Sequence, residues 1–296
     1  MPQGCEQPIQ KKGETMGFVE SRGVRLYVEE TGAGYPIVWL HEFAADYRTW
    51  EPQVRYFGRH YRCVTYNARG YPPSDVPDAD ADYSYERHLQ DLVSVMDALA
   101  IEKAHVVGLS MGAYTGLQLA LRRPDRISAL VFASGGSGAP KNESEAFKTA
   151  IARGAERMLR EGMGAGADNT LAGATRVQLR DKDPRGGEEF RRYMAEHSAK
   201  GSALNLKNFQ AMRPSLFDLE AELAAVETPV LLAVGDEDDP VIEANLFLKR
   251  TLPRVGLWMA PKSGHGLNLE DPGDFNVQCD RFFAAVERGG WAPRAL

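Results

Sequence analysis

The fold turns on Ala104-His105-Val106-Val107-Gly108-Leu109-Ser110-Met111-Gly112-Ala113-Tyr114-Thr115. Ala104 to Leu109 is a short apolar run suited to a buried strand, and Ala113 to Arg122 reads as a helix stopped at Pro124. Between them lies Gly108-Leu109-Ser110-Met111-Gly112. A serine at a strand-to-helix junction sits on a sharp turn, with its hydroxyl projecting from the carboxyl edge of the sheet. The flanking glycines are required because a Cβ in such a turn collides with neighbouring backbone. The helix start behind Ser110 offers free N–H groups and a positive dipole end to developing negative charge.

Reading outward, Phe18 to Val28 holds two β-prone runs around Arg22-Gly23, an antiparallel hairpin. Pro36 to His41 and Tyr61 to Tyr66 read as strands. From Ser84 to Ala100 the apolar residues Leu89, Leu92, Val93, Met96 and Leu99 form one helical stripe, with Asp82 or Ser84 as its cap. Further strands are expected at Ile127 to Ala133, Pro229 to Gly235 and Val255 to Ala260. Helices follow at Ile242 to Lys249 and at about Asp274 to Glu287. Strand and helix in alternation imply an α/β fold, with a mostly parallel sheet covered on both faces. The alternation breaks over about 136–212, where Glu143 to Arg160 and Glu188 to Ser198 favour helix and Gly162-Met163-Gly164-Ala165-Gly166 reads as a break. This is expected to be a helical insertion between core segments 17–135 and 213–296, behind a loose tail over 1–16.

The chain has 296 residues, 43% of them hydrophobic and 26% charged, enough to bury a core without disulfide or metal. Its net charge of −6 lacks the Lys/Arg excess that drives phosphate-backbone binding, so no nucleic-acid partner is expected. Cys5, Cys63 and Cys279 show no CxxC spacing and read as reduced thiols. No membrane span or secretory segment is apparent, and a cytoplasmic location is expected. No cofactor or metal is expected, since the chain shows neither a Rossmann nor a Walker run nor a metal-ligand cluster.

A serine nucleophile needs a base, and the base an orienting carboxylate. His265, in Ser263-Gly264-His265-Gly266, lies between the last strand and the last helix on a loop free to aim an imidazole at the carboxyl edge. His105 lies within a strand and is expected to be packed or hydrogen-bonded, and His60, His88 and His197 are expected at the surface. The acid should follow another strand, where Asp236, Glu237, Asp238 and Asp239 share one loop and any of them could reach. Ser134-Gly135-Gly136, after the preceding strand, offers no carboxylate.

With these residues in view, the chain resembles the α/β-hydrolase superfamily, in its capped serine esterase-like group. The resemblance spans roughly 17–290 and rests on the elbow at Ser110, on Gly235-Asp236-Glu237-Asp238 and on Gly264-His265. It implies a Ser110–Asp238–His265 triad, since similar proteins place the acid three residues after the glycine, and it implies a helical cap at the break over 136–212. An oxyanion hole needs two N–H donors. Met111, directly after the nucleophile, should supply one, and the resemblance assigns the other to Phe43. Here the sequence departs from the family pattern, reading His41-Glu42-Phe43 with Glu where Gly is usual. Glu42 is expected to turn to solvent or to a backbone donor, or else to face a cationic or amide substrate. The run from Asn67 to Asp75 resembles a family loop in which Asn67 and Pro72 are substitutions, and Arg69 is expected to anchor backbone carbonyls.

Tyr47, Trp50, Phe43 and Met111 are candidates to line an acyl pocket, a role their residue types share with core packing, and His41 and Glu42 are further candidate substrate contacts. A serine nucleophile argues against dehalogenase or epoxide hydrolase chemistry, which on this scaffold uses aspartate. The expected function is a carboxylesterase-like serine hydrolase acting on a small acyl substrate through an acyl-enzyme. Alternatives are C–C bond hydrolysis of ring-cleavage products or amide hydrolysis with the same triad, and a non-catalytic ligand-binding protein on this scaffold.

Overall fold

The computed structural model describes residues 14–294. The tail expected over 1–16 lies outside the described residues as far as residue 13; from Glu14 the chain is strand. The strands are β1 (Glu14–Ser21), β2 (Val24–Thr31), β3 (Tyr35–Leu40), β4 (Tyr61–Tyr66), β5 (Ala104–Leu109), β6 (Ile127–Ala133), β7 (Val230–Gly235) and β8 (Val255–Ala260). They form one sheet in the order β1-β2-β4-β3-β5-β6-β7-β8, antiparallel at β1/β2 and β2/β4 and parallel from β4 onward. Parallel neighbours require crossovers, and helices supply them. These are α1 (Glu51–Phe57), α2 (Tyr85–Ala98), α3 (Met111–Arg122), α4 (Ser144–Ala172), α5 (Val177–Lys182), α6 (Pro184–Ala195), α7 (Ala199–Asn205), α8 (Glu220–Leu223), α9 (Asp239–Thr251), α10 (Leu267–Glu270) and α11 (Pro272–Glu287). Ser84 caps α2, its side chain accepting from Arg87 N.

Side chains alternate across the sheet. In β3, Val38 and Leu40 join one core cluster with Val106, Leu117 and Leu232, while Ile37 and Trp39 join a second with Val107, Phe282 and Phe283. Cys63 and Cys279 lie free in the second cluster, and burial pushes the Cys63 thiol up to about 12. His105 stacks on Phe283 and is hydrogen-bonded to Ser128 and Glu287.

Between β6 and β7 the chain builds α4 to α8, with a third apolar cluster joining Ile151, Met158, Phe190 and Met194 to Ala44 and Ala45 of the loop after β3. The break expected over Gly162–Gly166 is narrower than its glycines suggest. Gly162 alone leaves helical geometry, at φ 81°, and it divides α4 into two helical parts. Among the described residues no helix is long and apolar enough to cross a membrane.

Candidate active site

Ser110 stands between β5 and α3 at φ 52°, ψ −107°, a conformation that costs a non-glycine residue energy and persists only where its surroundings enforce it. Its N–H donates to Ala133 O at 2.8 Å. A Cβ on Gly108 would meet Gly112 C at 2.3 Å, and one on Gly112 would meet Leu40 O at 2.2 Å. The two glycines therefore let α3 close against β5 and β3, and this packing holds the serine in its turn. As the first residue of α3, Met111 has an N–H with no partner inside the helix.

Asp238, fully buried, and His265 meet beyond the ends of β7 and β8, with His265 Nδ1 2.7 Å from Asp238 Oδ2. Asp236 and Asp239 are exposed, and Asp236 Oδ1 instead accepts from Ser263 N at 3.3 Å. Glu237 takes Gln178 and Lys262. Of the four acids in this loop, only Asp238 touches the imidazole. Burial disfavours the charged ring, but Asp238 outweighs it by charge and hydrogen bond, and His265 is held above its ordinary 6.5. The His265 loop is secured from behind: Glu270 accepts from Gly264 N at 2.5 Å and Gly266 N at 3.1 Å, and His265 N donates to Thr175 O at 2.8 Å. Thr175 belongs to a 3₁₀ turn, Ala174–Arg176, between α4 and α5.

His41, a candidate substrate contact in the sequence, is instead turned inward. It is buried, and Ala68 N donates to its Nε2 at 3.0 Å, so the ring proton sits on Nδ1 and is donated to Glu42 O at 2.7 Å. Burial pushes His41 down to about 4, so it stays neutral and keeps this tautomer. In a trans peptide the C=O and N–H point opposite ways. Fixing Glu42 O therefore fixes Phe43 N–H on the other side, and Tyr71 Oη, donating to Phe43 O at 2.9 Å, secures the next peptide.

Glu42 turns neither to solvent nor to a backbone donor. It is buried and receives Arg176 Nη2 from the 3₁₀ turn, with its Oε2 3.7 Å from His265 Nε2. Trp50 is also corrected: it has no exposed surface and packs against Trp39 and Phe275 in the core. Tyr47 packs against Tyr27 and lines an open cavity of about 800 Å³ with Arg48, Phe190 and Tyr193. None of Ser110, Asp238 or His265 lines that cavity.

His88 and His197 are buried rather than at the surface, while His60 is exposed. His88 Nε2 donates to Asn205 Oδ1 at 2.8 Å, and Asn205 Nδ2 donates to Arg69 O. His197 Nε2 lies 3.3 Å from Asp46 Oδ2. Arg176, Asn205 and His197, which the sequence reading missed as partners, thus tie α4–α7 to the loops after β3 and β4. Position carried one signal: His88 lies one turn before Leu92 on the apolar stripe of α2. Arg69 donates to Asp82 O and pairs in bidentate fashion with buried Asp91, and Asn67 holds Tyr47 N and Pro72 O.

A mostly parallel sheet with a strained serine at one strand end, and a histidine paired with a buried aspartate at two others, is the arrangement of an α/β hydrolase. The family described as alpha/beta hydrolase fold matches residues 35–272, and the chain belongs to it as a hydrolase. It is 30% identical over 239 residues to the putative carbamate hydrolase RutD of Caulobacter segnis, covering 79% of this chain and 85% of that one. Its structure is similar to an esterase from Thermogutta terrifontis, with TM-score 0.80 and 26% identity over 92% of this chain and 98% of that one. It is also similar to the enol-lactonase from Burkholderia xenovorans, with TM-score 0.78 and 25% identity over 90% and 100%.

Proposed function

We propose that the chain is a serine hydrolase that cleaves a small carboxylic ester or related acyl compound through an acyl-enzyme. One observation carries this reading. His265 Nδ1 is bound at 2.7 Å to buried Asp238, which leaves Nε2, with Glu42 Oε2 3.7 Å away, as the basic nitrogen at the sheet edge from which the Ser110 turn leaves. Ser110 Oγ attacks the acyl carbon as Nε2 takes its proton, and Asp238 holds the tautomer and steadies the imidazolium. The negative charge passing to the carbonyl oxygen meets the N–H groups of Phe43 and Met111. The tetrahedral adduct collapses, the acyl–leaving-group bond breaks, and His265 returns the proton to the leaving group. Water, deprotonated by the same nitrogen, then frees the acid and Ser110.

Helices α4 to α7 are read as a cap that shapes the acyl pocket, and the free thiols of Cys63 and Cys279 fit a cytoplasmic setting. The names of the similar proteins, carbamate hydrolase, esterase and lactonase, all describe attack at an acyl carbon. A panel of esters, lactones, carbamates, amides and vinylogous diketones ranks these bonds and separates ester cleavage from the amide and C–C alternatives. The direct test is intact mass after treatment with a fluorophosphonate. A single adduct on the wild type, absent from Ser110→Ala, is expected. A folded wild type that takes no adduct overturns the proposal.

A further inference from the structure

The Arg176–Glu42 pair is buried at the active site, and the acyl-transfer scheme makes no use of it. Its partners are 134 residues apart, and each side chain is only 4% exposed. Glu42 directly precedes the oxyanion donor Phe43, and its Oε2 lies 3.7 Å from the base nitrogen His265 Nε2. Arg176 directly follows Thr175, whose carbonyl holds His265 N. The guanidinium carbon also lies over the Phe190 ring, 4.8 Å from its centre. Two glycines leave the space for this contact: a Cβ on Gly264 would meet Thr175 O at 2.2 Å, and one on Gly266 would meet Arg176 Nη1 at 3.0 Å.

An unpaired carboxylate beside the oxyanion loop would oppose the negative charge that forms there. Paired with a guanidinium it is neutralised and held in place. We infer that Glu42 and Arg176 act together as positioning residues, a charged clamp that fixes the oxyanion loop, the His265 imidazole and the turn between α4 and α5 in one arrangement. The inference rests on the Ser110–His265–Asp238 reading. Because the two charges are opposite, removing either one alone shifts the base in opposite directions. The charged groups facing His265 are Asp238 after β7, Glu42 after β3, Arg176 before α5, and Glu270 on α10, whose carboxylate binds the Gly264 and Gly266 N–H groups. Asp238 and Glu42 favour the imidazolium and Arg176 disfavours it.

The test is the pH dependence of Ser110 phosphonylation by a fluorophosphonate, followed by intact mass. It compares the wild type with Glu42→Gln, Arg176→Met and the double variant. The acid limb should fall by about half a pH unit or more in Glu42→Gln, rise similarly in Arg176→Met, and return near the wild-type position in the double variant. A purely structural pair would lower rates without moving the limb. Limbs unmoved in both single variants, or moved the same way, overturn the inference. If Arg176→Met does not fold, Glu42→Gln and the charge-retaining Arg176→Lys decide: a lowered limb in the first and an unmoved one in the second sustain it, and an unmoved Glu42→Gln limb overturns it. A wild type that takes no label, or label persisting in Ser110→Ala, breaks the triad reading instead.

Discussion

The serine turn and the proposed oxyanion loop leave neighbouring strands, β5 and β3, yet they are held in place by different means. The serine turn is fixed by backbone and by absent side chains: Gly108 against Gly112, Gly112 against Leu40, and Ser110 N on Ala133 O. The oxyanion loop is fixed by side chains from elsewhere in the chain. His41 spans from Ala68 to Glu42, Tyr71 holds Phe43, and Arg176 holds Glu42. The serine turn needs only neighbouring backbone and the bare Cα of Gly108 and Gly112, whereas the other loop depends on particular side chains. Damage to the first should remove the chemistry outright, and damage to the second should weaken it by degrees.

The largest effect is expected at Ser110. Replacement by alanine should lower kcat by about 10⁴-fold or more with the fold retained, as steady-state rates and circular dichroism would show. Activity surviving in that variant would break the comparison at its base. Asp238→Asn should cost roughly 10³- to 10⁴-fold in kcat, because the amide favours the wrong imidazole tautomer. On the other side, His41→Phe removes both bonds that set the Glu42–Phe43 peptide and should cost about 10²- to 10³-fold, the usual scale for an oxyanion donor. A His41→Phe loss as deep as that of Ser110→Ala would show that the two turns are not graded as argued.

The smallest effect is a change of pH alone. In the proposed mechanism His265 acts as the neutral base, and Asp238 holds its proton affinity above the ordinary 6.5. The kcat/KM of the wild type should therefore begin to fall above pH 6.5 as acid is added, and Asp238→Asn should move that limb to lower pH. A wild-type profile flat down to pH 4 would remove His265 from the proton transfer.

Much of the sheet was legible because it is local. The β4, β6 and β8 bounds match the expected apolar runs, and the helical stripe of α2 lies where its period places it. The serine turn and the His265 loop stand out in the sequence, but spacing left four acids open, and only the family resemblance implied Asp238, which His265 Nδ1 does contact. Roles that depend on a distant partner could not. Trp50 looks like a pocket residue until Trp39 and Phe275 enclose it. His41 looks like a substrate contact until Ala68 and its own neighbour's carbonyl occupy both ring nitrogens. Polarity alone suggested a surface for His88 and His197, but Asn205 and Asp46 satisfy them in the interior. The glycines of α4 suggested a loop where helix packing tolerates all but Gly162.

The hydrogen bond from His265 N to Thr175 O bears on how such an enzyme can diversify. Helical segments between β6 and β7 invite exchange as specificity modules, since both ends return to the same sheet. In this chain the segment also carries the carbonyl that grips the His265 loop, and Gly264 is shaped to admit it at a distance no Cβ would allow. A graft that replaced α4 to α7 wholesale would therefore also remove the carbonyl that holds His265 N. The Ala174–Arg176 turn must stay with the catalytic core, and a designer should cut on either side of it.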